Sequence, residues 1–463
     1  MLDIVIVFAY LILLLIIGIL KRQSSNYFRS FSKITTQMQG NKLIIVAAIF
    51  ASAIGGGTTF GIAEKAFAGN IAYSYGLMLA IPVDIIIAIF VLPKLVQHYG
   101  AESVGDIMSK YYGSSGRYIG GFSAILVSIG LLAAQISVSG RIFEYILQID
   151  YISGIIFSYG IIVIYTTIGG FQSIIFTNQL QFFAIILAIP VISFVGLYHM
   201  GIDNFLMSVP VEKFSFSNNS NLINTTISAA LGFSVINLLP TFIQRVLINP
   251  NSGTTKTAIY IKSVIYAVFL IFITINGLLA YIQYPEIKAS IALPHLIDRI
   301  MPAGVQGLIV VGLLAAVMST ADADLNVTSV TLVKDFFTPL FKIEKQETML
   351  IIARLTNIVM GSFAIIIALC FSRVVDLVIF IAGFWGPVIL VPMLFGLFGI
   401  VTTRLGFILA CVMGSCSVLV WSLFFQTDTG LKGVFIGTVT NLIVFLISFV
   451  LSKKFNKSGT KWQ

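Results

Sequence analysis

The chain reads as an all-α integral membrane protein of about thirteen transmembrane helices, and three observations predict it. Of its 463 residues, 58% are hydrophobic and only 10% charged, with a mean hydropathy of +1.02, far more apolar than a soluble domain. Its polar residues fall between apolar runs of roughly 20 residues, long enough to cross a hydrocarbon core about 30 Å thick. Some of those runs are interrupted by glycine, proline and acidic residues, which lipid alone would not tolerate.

The apolar runs lie at 2–20, 42–66, 71–97, 117–146, 152–168, 179–200, 223–248, 258–282, 305–333, 349–371, 374–398, 404–425 and 432–451. The first has an acidic residue where a secretory signal carries basic ones, and no small-residue cleavage site follows it, so it is expected as a retained span. Thirteen spans put the termini on opposite sides of the membrane. Lys21, Arg22, Arg29 and Lys33 follow the first span, and Lys453, Lys454, Lys457 and Lys461 close the chain. Positive residues favour the cytoplasmic side, so the C-terminus is expected inside and the N-terminus outside, in the plasma membrane or the inner membrane of a bacterium. Lys110 with Arg117, Lys256 with Lys262, and Lys342 with Lys345 fall on the same inner side, while the loops 201–222 and 283–304 balance their cations with Asp203, Glu212, Glu286 and Asp298.

Several function classes recede. Three cysteines lie inside apolar runs and three histidines are far apart, so neither a disulfide framework nor a histidine or cysteine metal site has its spacing. The net charge of +9 is scattered rather than gathered into a patch with interleaved aromatics, so no nucleic-acid partner is expected. No nucleophile and base stand at catalytic spacing, so the chain is not expected to be an enzyme. The partners it implies are a lipid bilayer, a small-molecule solute and a co-transported ion, with no obligatory protein partner evident.

The interruptions locate the chemistry. The second span contains Ala51-Ser52-Ala53-Ile54-Gly55-Gly56-Gly57-Thr58-Thr59, and each glycine costs a helix about 1 kcal/mol relative to alanine. Unwound backbone at membrane depth is tolerated where it lines a cavity or is buried in protein, and its freed carbonyls are hard-oxygen ligands for a small cation. The seventh span is broken by Gly232 and Pro240, five spans after the first break, where an inverted repeat of five plus five helices places the counterpart. The ninth span holds Ala315-Ala316-Val317-Met318-Ser319-Thr320-Ala321-Asp322-Ala323-Asp324. Ala316, Ser319 and Thr320 share one helix face by i, i+3 and i+4 spacing, and an intramembrane carboxylate is a functional-site candidate by default.

These residues resemble the sodium:solute symporter family, the family of sodium/proline, sodium/pantothenate, sodium/sugar and sodium/sialic acid symporters, over nearly the whole chain. The stretch 51–62 resembles the family's unwound first core helix. The stretch from Gly169 to Gln181 resembles its signature leading into the fifth, with Thr177-Asn178 where Thr-Asp is usual. Gln244-Arg245 resembles the motif closing the sixth, 316–322 the eighth, and 386–398 the tenth.

The resemblance implies a leucine-transporter-type core of ten helices in two inverted halves at 42–398. It also implies an extra N-terminal helix at 1–20, two C-terminal helices at 404–451 and a basic tail at 452–463. It implies a sodium site made of the carbonyls of Ala51, Ile54 and Ala316 and the hydroxyls of Ser319 and Thr320. A second cation or proton position falls at Asn178 and Asp322, the asparagine standing where some members use an aspartate.

The solute is expected beside the sodium site, touching Gly57, Thr58, Gln135 and Asn237, although Gln135 equally suits a polar bridge between helices. Sugar carriers of the family present aromatics before the Gln-Arg motif, where this chain has Val235 and Ile236, so a small amino acid or carboxylate is expected instead. Asp84 has no obvious local partner and is a candidate proton or cation ligand, whereas Arg141 and Glu144, three residues apart, are expected to neutralise each other. Sodium-coupled symport by alternating access is the function these features imply. Proton-coupled symport on the same fold is the alternative, and a transporter-like channel or sensor a third.

Overall fold

The computed structural model describes residues 1–21, 27–33, 41–79, 81–214, 226–227, 230, 238–370, 383–426 and 431–457, and every regular element among them is a helix. In lipid a single crossing must satisfy its own amides and carbonyls, which a helix does.

The elements used below are α1 (Leu2–Leu20), α2 (Lys42–Ala53), α3 (Gly56–Ala68) and α4 (Ala72–His98). There follow α5 (Val104–Ile146), α6 (Tyr151–Met200), α7 (Pro240–Val246), α8 (Ser252–Gln283) and α9 (Val305–Phe341). Last come α10 (Gln346–Cys370), α11 (Gly386–Leu397), α12 (Arg404–Phe424) and α13 (Gly433–Lys454). Among the described residues nine helices are long and apolar enough to cross a membrane, or ten when the bent pair α2 and α3 counts as one span.

Two of these helices carry sharp turns inside them. The 50-residue α6 is broken at Gly170, with φ 57° and ψ −150°, a conformation that favours glycine. A Cβ there would stand 2.7 Å from the Phe31 ring and 2.9 Å from the Phe31 backbone. The two arms reverse direction. In the first, Phe157 meets Phe8 edge to face at 5.3 Å. Just past the turn, Ser173 donates to the carbonyl of Gly18 at 2.6 Å. The second arm then returns to place Ala188 against Gly312. The expected spans 152–168 and 179–200 are therefore the two arms of α6. In α5, Gly113 (φ 60°) folds the segment 104–112 back, so that Gly116 and Gly120 pack against Met108.

Every expected span except 223–248 and 374–398 has its helix among the described residues. Those two are described only in part, at α7 and α11, and Gly232, Val235, Ile236 and Asn237 lie outside the described residues.

The centre of the bundle is α9, 94% of whose most apolar stretch is buried, against 17% for α13 and 28% for α12. Leu419, Val420, Ile443 and Ile447 on those outer helices stay exposed, as side chains facing lipid do. The N-terminus of α9 is capped by Asp3 of α1, whose Oδ1 accepts from Gly304 N at 2.8 Å and Gly307 N at 2.7 Å. This satisfies amides that a helix start leaves free. The face of the bundle at which α1 begins is called below the Leu2 face, and the opposite one the Lys21 face.

Asp84 on α4 is not unpartnered. Its Oδ2 accepts from Lys262 Nζ at 2.7 Å and Ser263 Oγ at 2.9 Å, both on α8. Lys262 is fully buried, so it is a helix-pairing residue and not the loop cation that the charge pattern predicts. The pair is invisible locally because 178 residues separate its members.

A candidate cation and solute site

The break between α2 and α3 follows from its residues. Ile54 and Gly55 adopt extended backbone, the helices on either side diverge by 53°, and the local donors and acceptors are reassigned. Gly55 N donates to Thr58 Oγ1 at 2.8 Å, Thr58 Oγ1 donates to Gly55 O at 2.8 Å, and Gly56 N donates to Gln135 Oε1 on α5 at 2.8 Å. A Cβ at Gly56 would stand 2.8 Å from Val138 Cγ2, and one at Gly55 would stand 2.7 Å from Gln135 Nε2 and displace that amide. Gly57 is exposed and has nothing within 4 Å of a Cβ.

The carbonyls freed by the break point at α9. Ser319 Oγ donates to Ala51 O at 2.9 Å and stands 3.1 Å from Ala316 O, while Thr320 Oγ1 donates to Ile54 O at 3.1 Å and stands 3.3 Å from Ala316 O. All five residues named for the sodium site thus converge from two chain segments, the end of α2 and the middle of α9, into one all-oxygen cluster. It is buried: Ala51, Ile54 and Ser319 are 0% exposed and Thr320 8%.

The second predicted position is less closely assembled. Asp322 accepts from Tyr165 OH at 2.6 Å, and its other oxygen has no hydrogen-bond partner. Asn178 is fully buried on α6 with both amide atoms unpartnered, and no hydrogen bond joins it to Asp322. Gln181, one turn on, and Tyr10 of α1 are likewise buried with unpartnered polar groups. Sequence reasoning missed Tyr10 and Tyr165. Nothing in the sequence around either tyrosine marks it as facing a carboxylate.

Of the predicted solute contacts, Gly57 faces open space, while the Thr58 hydroxyl and the Gln135 carbonyl oxygen are spent on the helix break. The bridging role of Gln135 is the one observed, and Asn237 lies outside the described residues. Arg141 and Glu144 form no ion pair with each other among the described residues. Instead they line, with Ser137, Tyr151 and Lys288, a cavity of about 440 Å³ on the Leu2 face.

A second cavity, of about 660 Å³, opens on the Lys21 face and reaches Phe171, Gln244 and Val327. Lys33 and Glu102 line it and pair at 3.8 Å, and Glu102 pairs in turn with Lys334 at 2.8 Å. Burial depresses the proton affinity of Lys33. Neither cavity contains the Ser319 cluster.

A broken helix, a buried cluster of oxygens at its break, and a cavity on each side of the bundle are features of an ion-coupled secondary transporter. The chain belongs to the sodium:solute symporter family, whose model matches residues 37–414. It is therefore a multi-pass membrane symporter, and sodium is its co-transported ion. It is 23% identical to a sodium/sialic acid symporter of Aliivibrio fischeri, covering 99% of this chain and 94% of that one. It is 22% identical to a sodium/pantothenate symporter of Escherichia coli, covering 86% of each. Its fold matches that of a Na+-coupled sialic acid symporter in a substrate-bound outward-open state, with a TM-score of 0.83 at 20% identity, over 97% of this chain and 98% of that one. A match to MhsT in complex with L-phenylalanine, with a TM-score of 0.56 over 88% and 98% of the chains, places it among leucine-transporter-type folds.

Proposed function

We propose that the chain imports a small amino acid or carboxylate with sodium held by the carbonyls of Ala51, Ile54 and Ala316 and the hydroxyls of Ser319 and Thr320. The convergence of those five oxygens is the observation that carries the reading. Ligand oxygens about 2.3–2.6 Å from a cation stand roughly 3.3–3.7 Å apart at right angles, so the ring needs only slight expansion. On ion entry the two hydroxyls turn their protons away and present lone pairs.

The solute sits beside the open backbone at Gly57, within reach of Thr58 and Gln135, with Asn237, outside the described residues, as the further candidate contact. Because Ala51 and Ile54 end one half of the broken helix and Gly57 lies in the first turn of the other, an ion that draws the carbonyls together also fixes the solute-facing backbone. The cavity on the Leu2 face is the outer entrance and the one on the Lys21 face the cytoplasmic exit. In this reading the N-terminus lies outside and the basic C-terminus inside, the orientation that the positive residues favour.

The test is thermal unfolding of the purified protein in sodium chloride against choline or potassium chloride, for wild type and for Ser319→Ala with Thr320→Ala. Sodium at a hundredfold its Kd stabilises by about 2.7 kcal/mol, so a sodium-specific rise in Tm is expected in wild type and its loss in the variant. A wild type that ignores sodium, with uptake that follows a pH gradient, would replace this reading by proton coupling at Asp322 beside Asn178.

A further inference from the structure

Asp324 lies on the other side of α9 from Asp322, since two residues advance a helix by about 200°. It is 1% exposed, and its Oδ2 has no hydrogen-bond partner. The hydroxyl of Ser128 on α5 lies beside its carboxylate, and Thr328 is one turn further along the same face of α9. Both hydroxyl residues are fully buried and both oxygens are unpartnered. Helical serine and threonine usually return their proton to a carbonyl three or four residues back, as Ser329, Thr166 and Thr177 do here. Ser128 and Thr328 make no such bond, so both hydroxyl oxygens remain available as ligands.

The charge count points the same way. Asp322, Asp324 and Arg245 are all buried, and among the described residues Arg245 pairs with neither carboxylate within ion-pair distance. Ionised together, the two carboxylates and the guanidinium sum to one negative charge, which one monovalent cation would cancel. Asp322 already receives a hydroxyl proton from Tyr165 at 2.6 Å, whereas no donor serves Asp324 Oδ2.

We propose that Asp324, Ser128 and Thr328 form a sodium site between α5 and α9, separate from the Ser319 cluster and on the opposite face of α9 from Asp322. One carboxylate and two hydroxyl oxygens are a hard-oxygen set suited to an alkali cation.

Equilibrium binding of radiolabelled sodium to the purified full chain tests it, with wild type, Asp324→Asn, Asp322→Asn and the Ser319→Ala/Thr320→Ala pair. Wild type should bind two sodium ions and Asp324→Asn one, while Asp322→Asn keeps both. The Ser319/Thr320 pair should lose one ion and keep the one that depends on Asp324. If that pair retains both ions, the Ser319 reading fails while the result for Asp324→Asn still decides this one. The site is overturned if wild type binds one ion, if Asp324→Asn binds as many as wild type, or if Asp322→Asn alone loses the second. Should Asp324→Asn not stay monodisperse, Ser128→Ala and Thr328→Val replace it. Each should weaken the second site at least about tenfold, as loss of a shell residue does, and unchanged affinity in both overturns the site.

Discussion

Gly55, Gly56 and Gly57 are adjacent in the chain yet meet different surroundings, and substitution separates them. Alanine at Gly56 drives a Cβ to 2.8 Å from Val138, a β-branched side chain with little freedom to move aside. We expect Gly56→Ala to cost about 1–3 kcal/mol, as overpacking does, read as a fall in Tm. Gly57→Ala meets open space, so its Tm and its sodium response should match wild type while the KM for the transported solute rises. Equal behaviour of the two variants would contradict this assignment. The glycine triplet shows in the sequence as a break, because three successive helix penalties need a reason. Which of the three packs, and which faces open space, depends on Val138 and Gln135, more than 70 residues away in sequence, and no local signal reports that.

Among the elements, α4 and α8 are joined by a buried ion pair, and removing one partner should cost far more than removing both. Lys262→Met strands the Asp84 carboxylate, with an expected loss of about 3–5 kcal/mol. Adding Asp84→Leu should restore most of it, because the desolvated charge is then gone. Thermal unfolding of the two singles and the double checks this, and an additive double mutant would show that the pair is not the coupling. Asp84 was legible as an anomaly in an apolar run, but its role was not, since the charge pattern assigns Lys262 to a loop. The turn at Gly170 has the same character. The sequence supplies Gly169-Gly170 between two apolar runs, and the approach of Phe31 makes the second glycine obligatory.

For the whole molecule, the ligands of the proposed sodium site are neutral, so an ion held there carries its charge through the transport cycle. A charge crossing 100 mV is worth about 2.3 kcal/mol, and a tenfold gradient adds about 1.4. With a zwitterionic solute and one sodium, clamping the potential to zero in proteoliposomes should therefore lower accumulation by roughly fiftyfold. With a singly charged carboxylate and one transported sodium, the same clamp should leave accumulation unchanged, so together with the number of sodium ions transported the measurement reports the class of solute. The sequence by itself determined that this is a helical membrane transporter, where the helix α2–α3 breaks, and which residues of α2 and α9 form the buried oxygen cluster. Those are consequences of composition, of the cost of glycine and charge in lipid, and of helical spacing, all of which act locally along the chain. Only the tertiary structure decided that Gln135 and Thr58 serve the helix break, that Asp84 is paired, that Asp3 caps α9, and that Asp322 and Asp324 face different helices. Those outcomes depend on which side chains from distant segments share a buried volume, where each polar group must find a partner or hold an ion.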